Sequence, residues 1–333
     1  MQFLYLLESI RAPWLDTVMS LITHLGSETL FMVIAITVFW CVNKRHGYYL
    51  LSVGFVGTLF NQALKLMFRI PRPWVLDEDF TIVESARADA TGYSFPSGHT
   101  QSVVGTMGGV ARFTNRLWLR IVCIVLAALV AFSRMYLGVH TPKDVLVSLV
   151  IAVVLVFALY PIVERAVHVP RVMGRLMMVM VGLSVVYLLF TTLYPFPADV
   201  DADNLAHGIE SGWKMLGCTV GMTLVWWLDE KVIHFETEAV WYAQVLKVVI
   251  GFALVIAVKS GLKPPLVTLL GAGVGGAVRY FLMVLVAGAV WPLFFRYFAR
   301  MGRRKKKRPA GRFFKLEVRV KSEKVWCPPC GGR

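Results

Sequence analysis

Charge is scarce in this chain. Of 333 residues, 17% are Asp, Glu, Lys or Arg and 57% are hydrophobic, whereas a soluble globular domain carries nearer a quarter charged residues. That shortage excludes water as the main solvent of the folded body. Cysteine is scarce too: there are five. Cys41, Cys123 and Cys218 lie in apolar runs, where a free thiol behaves as a small hydrophobe. Cys327-Pro-Pro-Cys330 has the spacing of half a zinc site, but structural zinc normally takes two such halves and the chain has no second pair. Neither a disulfide scaffold nor a metal site is expected. The first 25 residues lack the basic start and small-residue cleavage site of a secretory signal. No internal repeat is evident.

What the chain has in excess is positive charge, +15 overall, but it is unevenly placed. From Arg300 onward there are 13 Lys and Arg against 2 acids. Such a tail does not make the body a nucleic-acid binder. Arg303-Arg304-Lys305-Lys306-Lys307-Arg308 follows an apolar segment, so it reads as a stop-transfer flank held in the cytoplasm. The same cluster also permits contact with anionic lipid headgroups.

Apolar stretches recur along nearly the whole chain. A helix needs about 20 residues to cross the hydrocarbon of a bilayer, and the charged and Pro/Gly flanks bracket spans at 28–43, 47–69, 98–113, 117–134, 142–163, 175–195, 213–229, 240–259 and 276–296. The expected fold is therefore all-α, a polytopic membrane bundle of about nine helices. Residues 1–25 alternate apolar side chains with Glu8, Arg11, Pro13 and Asp16, the pattern of an interfacial amphipathic helix or helix pair. Residues 264–275 are glycine-rich and read either as a broken entry to the last span or as a close helix contact.

Short basic loops stay cytoplasmic. Lys44-Arg45, then Arg112, Arg116 and Arg120, then Arg165, Arg171 and Arg175 alternate along the chain with an acidic loop at Asp199, Asp201 and Asp203. This places the N-terminus outside and the C-terminus inside, in a cell membrane. Two long polar loops, 70–97 and 196–212, fall on the outer face.

Three polar clusters interrupt the apolar pattern, and that topology brings them to one surface. Lys65 and Arg72-Pro73 lie at the outer end of the second span. Pro96-Ser97-Gly98-His99 opens the third. Ser133-Arg134 closes the fourth, and His140 and Asp144 open the fifth. Ionisable groups are costly near lipid and mark functional sites. A lysine and two arginines supply positive charge and forked donors suited to phosphoryl oxygens. A histidine nucleophile for phosphorus must be neutral, with its second nitrogen protonated, and a carboxylate accepting that proton fixes the tautomer. His140 and Asp144 fit this pair. His99 is then placed to protonate the leaving oxygen and later to activate water. Lys65, Arg72 and Arg134, with the Ser97 hydroxyl and the Ser97 and Gly98 amides, are placed to hold the equatorial oxygens. The cations supply the charge a magnesium ion would otherwise bring, so no cofactor or metal is expected.

Each residue also has a plainer reading. Thr141-Pro142-x-Asp144 is a good helix start whatever its chemistry, Ser97-Gly98 can be only a cap, Arg72-Pro73 only a loop, and Lys65 a snorkelling side chain. Lys214, Lys247 and Arg279 read as packing or pairing residues, while His207 and Glu210 stand where they could rim a pocket. Trp74, Tyr93 and Phe95 fit a lipid-chain wall or an aromatic interface belt equally well.

Taken together, Lys65-x6-Arg72-Pro73, Pro96-Ser97-Gly98-His99 and Ser133-Arg134-x5-His140-x3-Asp144 resemble the three-part motif of the type 2 phosphatidic acid phosphatase superfamily. The resemblance implies a six-helix-type phosphatase core, a phosphohistidine route and the same residue assignments, position by position. It implies a lipid phosphomonoester or pyrophosphate as substrate: phosphatidic acid, phosphatidylglycerol phosphate or polyprenyl pyrophosphate. Residues 1–195 form the expected catalytic core, 196–296 three further helices, and 297–333 the basic cytoplasmic tail. A lipid-linked phosphotransferase with the same phosphohistidine is the alternative. An inactive transport or scaffold protein is a third reading, and the intact His99, His140 and Asp144 speak against it.

Overall fold

The computed structural model describes residues 1–198 and 200–301. Asp199, the Arg303–Arg308 run and Cys327 and Cys330 lie outside the described residues. The described chain is helical throughout: α1 (Gln2–Ser9), α2 (Pro13–Thr23), α3 (Glu28–Cys41), α4 (Lys44–Phe68), α5 (Pro73–Leu76), α6 (Gly98–Phe113), α7 (Leu117–Tyr136), α8 (Pro142–Ala166), α9 (Pro170–Leu193), α10 (Ala202–Leu228), α11 (Trp241–Gly261), α12 (Lys263–Leu285) and α13 (Phe295–Arg300).

A helix stands at each of the nine expected places, but they are not equally suited to crossing a bilayer. Among the described residues six segments are long and apolar enough, or seven if the bent pair Pro13–Gly26 and Glu28–Cys41, which meet at 47°, counts as one span. Three of the expected nine fall short on their own, and α3, with 14 residues, qualifies only together with the bent segment before it. Helix α6 has only 16 residues. Helix α10 is long, 27 residues, but its glycines and its polar Asp203, Glu210 and Lys214 dilute the apolar run. Residues 1–25 form the expected helix pair, α1 and α2. The glycine-rich stretch is broken at Gly271, whose φ of 76° and ψ of 169° interrupt α12.

Helix starts follow local chemistry. Ser27, Asn43, Ser97, Thr141 and Asp201 each accept a hydrogen bond from a backbone N–H in the first turn, meeting donors that a helix N-terminus otherwise leaves unpaired. Proline occupies the first turn of α2, α5, α8, α9 and α12, where its missing N–H costs nothing.

Helix α4 packs against α3, α6 and α8, and α6 packs against α7 and α8; α10 joins this group through α9 and α4 and carries α12 on its other side. Phe39, Trp40, Tyr49, Leu50, Val156, Met177 and Met180 form the buried centre. Polar atoms there find partners within the protein, as a lipid-facing fold requires: Tyr49 Oη donates to Val156 O at 2.8 Å and Trp40 Nε1 to Ala287 O at 2.8 Å. At one end of the bundle Lys44 Nζ lies 2.7 Å from Asp229 Oδ2, and Asp229 Oδ1 accepts the Phe235 amide at 3.2 Å. Lys247 is fully buried, donates to Thr237 O at 2.9 Å and lies 4.3 Å from the centre of the Phe295 ring. Lys214 pairs with Glu210 at 2.9 Å. Arg279 is buried and stacks on Tyr280 at 5.2 Å.

Helices α10 and α12 approach so closely that a Cβ on Gly217 would lie 2.1 Å from the Ala277 carbonyl oxygen. Gly182 on α9 has nothing within 4 Å of the equivalent point. An alanine at either position gains roughly 0.5–1 kcal/mol of helix propensity. Gly182→Ala is therefore expected to raise the melting temperature slightly in detergent. Gly217→Ala is expected to lower it, because overpacking costs about 1–3 kcal/mol.

Candidate active site

The second half of α4, the start of α6, the end of α7 and the turn before α8 line a single cavity of about 240 Å³. Six of the eight residues expected from the sequence line it: Lys65, Arg72, Gly98, His99, Arg134 and His140. The remaining two, Ser97 and Asp144, are buried behind its wall. The two histidine rings thus share one hollow with three cations.

Arg72 is 6% exposed and is held by backbone oxygens. Its Nε donates to Gly92 O at 2.9 Å, Nη2 to Thr91 O at 2.7 Å and Nη1 to Val139 O at 2.9 Å. The same Nη1 lies 3.0 Å from His140 Nε2. An arginine can only donate, so this contact requires a lone pair on Nε2 and places the ring proton on Nδ1. Lys65 Nζ donates to Tyr93 O at 2.5 Å. Among the described residues Arg134, with no exposed surface, gives one hydrogen bond, from Nη1 to Thr23 Oγ1 at 2.8 Å, and its Nε and Nη2 have no partner.

The turn carrying His140 folds back on the end of α7. The amides of Val139 and His140 donate to Arg134 O at 3.2 and 3.3 Å, and Gly138 adopts φ 80°, a conformation that favours glycine. His140 is 2% exposed. Burial, followed by the charges of Arg72, Arg134 and Lys65 and by His99, holds its imidazole well below the ordinary histidine value. It is therefore neutral at pH 7.

Asp144 Oδ2 meets three groups. It accepts the Thr141 amide at 2.7 Å, closing a capping box at the start of α8, and the Ser94 hydroxyl at 2.6 Å. It also lies 3.5 Å from His140 Nδ1, which has no other partner among the described residues. That separation is long for a hydrogen bond, and contacts of this kind often tighten once a reacting group is bound. The cap and the histidine pair are thus served by one oxygen. Ser97 Oγ caps α6 through the Thr100 amide and hydroxyl, at 3.4 and 3.0 Å. The Ser97 amide donates to Asp144 O at 3.2 Å, so it is already engaged and does not open into the cavity.

Residues 45–168 match the PAP2 superfamily, and residues 213–304 match the PAP2 superfamily phosphatase transmembrane extension. Phosphatidylglycerophosphatase B of Bacillus subtilis is 32% identical over 161 residues, which span 44% of this chain and 75% of that protein. The chain belongs to the PAP2 superfamily. A second relative, the undecaprenyl-diphosphatase BcrC of the same organism, is 33% identical over 150 residues, or 44% of this chain and 74% of its own. The crystal structure of the first transmembrane PAP2 type phosphatidylglycerolphosphate phosphatase from Bacillus subtilis covers 49% of this chain and 83% of that one, at 30% identity and a TM-score of 0.42. The chain is an integral membrane enzyme of a phosphatase family.

Several PAP2 site neighbours lack an obvious sequence signal. Ser94 is two positions before Pro96, and Thr23 comes from α2, outside both family matches. Asn204 and His207 reach the cavity from α10. Glu210 is taken up by Lys214. Tyr93 lines the cavity, while Trp74 lies between Arg72 and Arg87 and Phe95 packs edge-on to Phe68. Thr23→Val removes the acceptor that Arg134 has among the described residues and is expected to weaken orthophosphate binding about tenfold, the scale of one charge-assisted hydrogen bond. Thr23→Ser is expected to retain it. The check is the rise in melting temperature on orthophosphate titration.

Proposed function

We propose that the chain is a membrane lipid phosphatase that hydrolyses a lipid phosphomonoester or pyrophosphate through a phosphohistidine, at the outer face of the membrane. The observation that carries this reading is the pairing of a neutral, buried His140 with Asp144 on one nitrogen and Arg72 on the other, inside a cavity walled by cations. The names of the relatives, which act on phosphatidylglycerol phosphate and undecaprenyl diphosphate, support a lipid substrate.

In the first step Arg72 Nη1 shifts its hydrogen bond from His140 Nε2 to a phosphoryl oxygen, and the freed Nε2 lone pair attacks phosphorus. The P–O bond to the leaving group breaks, its electron pair stays on the departing oxygen, and His99 supplies that oxygen with a proton. Asp144 accepts the Nδ1 proton of His140 in a hydrogen bond that strengthens as the ring becomes positive. In the second step His99 takes a proton from water, the water oxygen attacks phosphorus, and the P–N bond breaks to return His140 and release inorganic phosphate. Lys65, Arg72 and Arg134 hold the equatorial oxygens, with the Gly98 amide at the start of α6. Phosphoryl transfer asks mainly for such positioning and charge stabilisation. Residues 1–195 are the catalytic unit in this reading.

The outer-face assignment rests on the far ends of the same helices. Lys44 and Arg45 begin α4, Arg112 ends α6, Arg116 and Arg120 flank the start of α7, and Arg165 ends α8. Each of these helices has its site residues at the opposite end. Basic loops stay in the cytoplasm, so the cavity faces away from it, and the basic C-terminal tail lies inside with access to anionic headgroups.

A panel of phosphatidic acid, phosphatidylglycerol phosphate and polyprenyl pyrophosphate, assayed for phosphate release in detergent micelles, tests the activity. His140→Ala is expected to abolish turnover with the protein still folded, and hydrolysis within tenfold of wild type would remove the nucleophile. Asp144→Asn is expected to slow kcat roughly ten- to a hundredfold, corresponding to about 1.5–3 kcal/mol for a hydrogen bond to a charged group. Activity is expected to survive EDTA, and a strict magnesium requirement would point to another mechanism.

A further inference from the structure

One part of the cavity wall is built of neutral groups that phosphoryl transfer does not use. Asn61 lies one turn before Lys65 on α4 and shares its face. Gln101 and Ser102 follow His99 in the opening turns of α6. All three line the cavity. Asn61 is 4% and Gln101 5% exposed. Yet among the described residues Asn61 Nδ2, both polar atoms of the Gln101 amide and Ser102 Oγ have no hydrogen-bond partner. Buried amides are rarely left so, because each unpaired donor or acceptor is costly.

The patch adjoins the reacting centre. Asn61 Oδ1 lies 3.8 Å from the point a Cβ on Gly98 would occupy. Gln101 lies across Gly57, where a Cβ would come within 2.5 Å of its Nε2. Its chemistry also differs from that of the cation cluster beside it. A second phosphoryl group would call for positive charge, which Asn61, Gln101 and Ser102 do not carry. Neutral donors and acceptors together match a group that both gives and takes hydrogen bonds, and the hydroxyl is the simplest of these.

We infer that Asn61, Gln101 and Ser102 form a subsite for a free hydroxyl on the substrate headgroup, next to the phosphate being removed. The enzyme then favours a lipid whose phosphate is carried on a hydroxylated headgroup over one whose phosphate sits directly on the lipid or on another phosphate. A site built to hydrogen-bond a hydroxyl rejects the analogue lacking it, because its own buried groups are left unpaired. This assignment rests on the phosphatase reading and narrows its substrate.

The test measures phosphate release from phosphatidylglycerol phosphate and from the analogue lacking its free headgroup hydroxyl. Wild type is compared with Gln101→Leu, Asn61→Leu and Gly57→Ala, the last of which pushes the Gln101 amide aside without removing it. Wild-type kcat/KM is expected to favour the hydroxylated lipid by about tenfold or more, and each variant is expected to bring the ratio toward one. The readout is a ratio within one preparation, so partial loss of folded protein cancels. A wild-type ratio near one, or a ratio that none of the three variants changes, overturns the subsite and leaves the phosphatase reading standing. No phosphate from either lipid overturns the phosphatase reading and the subsite with it. Glycerol added to the assay and phosphorylated in a Gln101-dependent way, with no preference between the two lipids, overturns the headgroup assignment in favour of an acceptor alcohol.

Discussion

Positive charge buried against neutral oxygen is the constraint around which the cavity is organised. Arg134 has no exposed surface and Arg72 almost none, and removing such groups from water is costly unless they are paired. A carboxylate paired with each would neutralise the charge and leave nothing for an incoming anion; Glu28 and Asp89 line the same cavity, but among the described residues neither forms an ion pair with these cations, and Asp89 lies 3.5 Å from His24. The fold instead gives Arg72 three backbone carbonyls, Lys65 one, and Arg134 a threonine hydroxyl. These oxygens orient the cations and satisfy part of their hydrogen bonding while cancelling none of their charge. Donors fixed in this way cost no reorganisation when a charged group arrives, which is the basis of electrostatic preorganisation. Burial first, and then the same cations, hold the His140 imidazole well below the ordinary histidine value.

The bundle serves this arrangement through its helix ends. Helices α4, α6 and α7 bring side chains to the cavity, and the loops beside them supply the carbonyls that hold Arg72 and Lys65. The C-terminal helices are not merely appended. Helix α10 packs on α9 and α4 and contributes Asn204 and His207 to the cavity wall, so the helix that leads into the region matched as a transmembrane extension, residues 213–304, borders the same space as the motif residues.

Much of this was legible in the sequence, for identifiable reasons. Lys65, Arg72, His99, Arg134 and His140 stand out because ionisable side chains are rare between apolar runs, and their convergence followed from the alternation of basic and acidic loops. The helix at each expected span followed from hydrophobic run length. The number of spans was less readable: α6 is shorter than a bilayer, and α10 trades apolar residues for the glycines that let it approach α12. Ser94, Thr23, Asn61 and Gln101 were out of reach because their meaning is tertiary. A serine in a loop or an amide in a helix has no periodic signature, and only packing shows that Ser94 meets Asp144 or that Gln101 lies across Gly57. Ser97 shows the reverse limit. Its place in the motif suggested a donor to the substrate, while its amide is taken by Asp144 O and its hydroxyl caps α6.

The link from Thr23 to Arg134 bears on how the boundaries of the active unit are drawn. The PAP2 superfamily match begins at residue 45, yet α2 supplies a hydrogen-bond acceptor to a cavity cation, and Arg11 just before it donates to Tyr136 O at 3.1 Å and Thr81 O at 2.8 Å. The opening segment therefore works as a brace spanning two loops that are distant in sequence. A fragment trimmed to the matched region would retain every motif residue and lose the scaffold that aims one of them, so minimal versions of this enzyme have to start at its first helix.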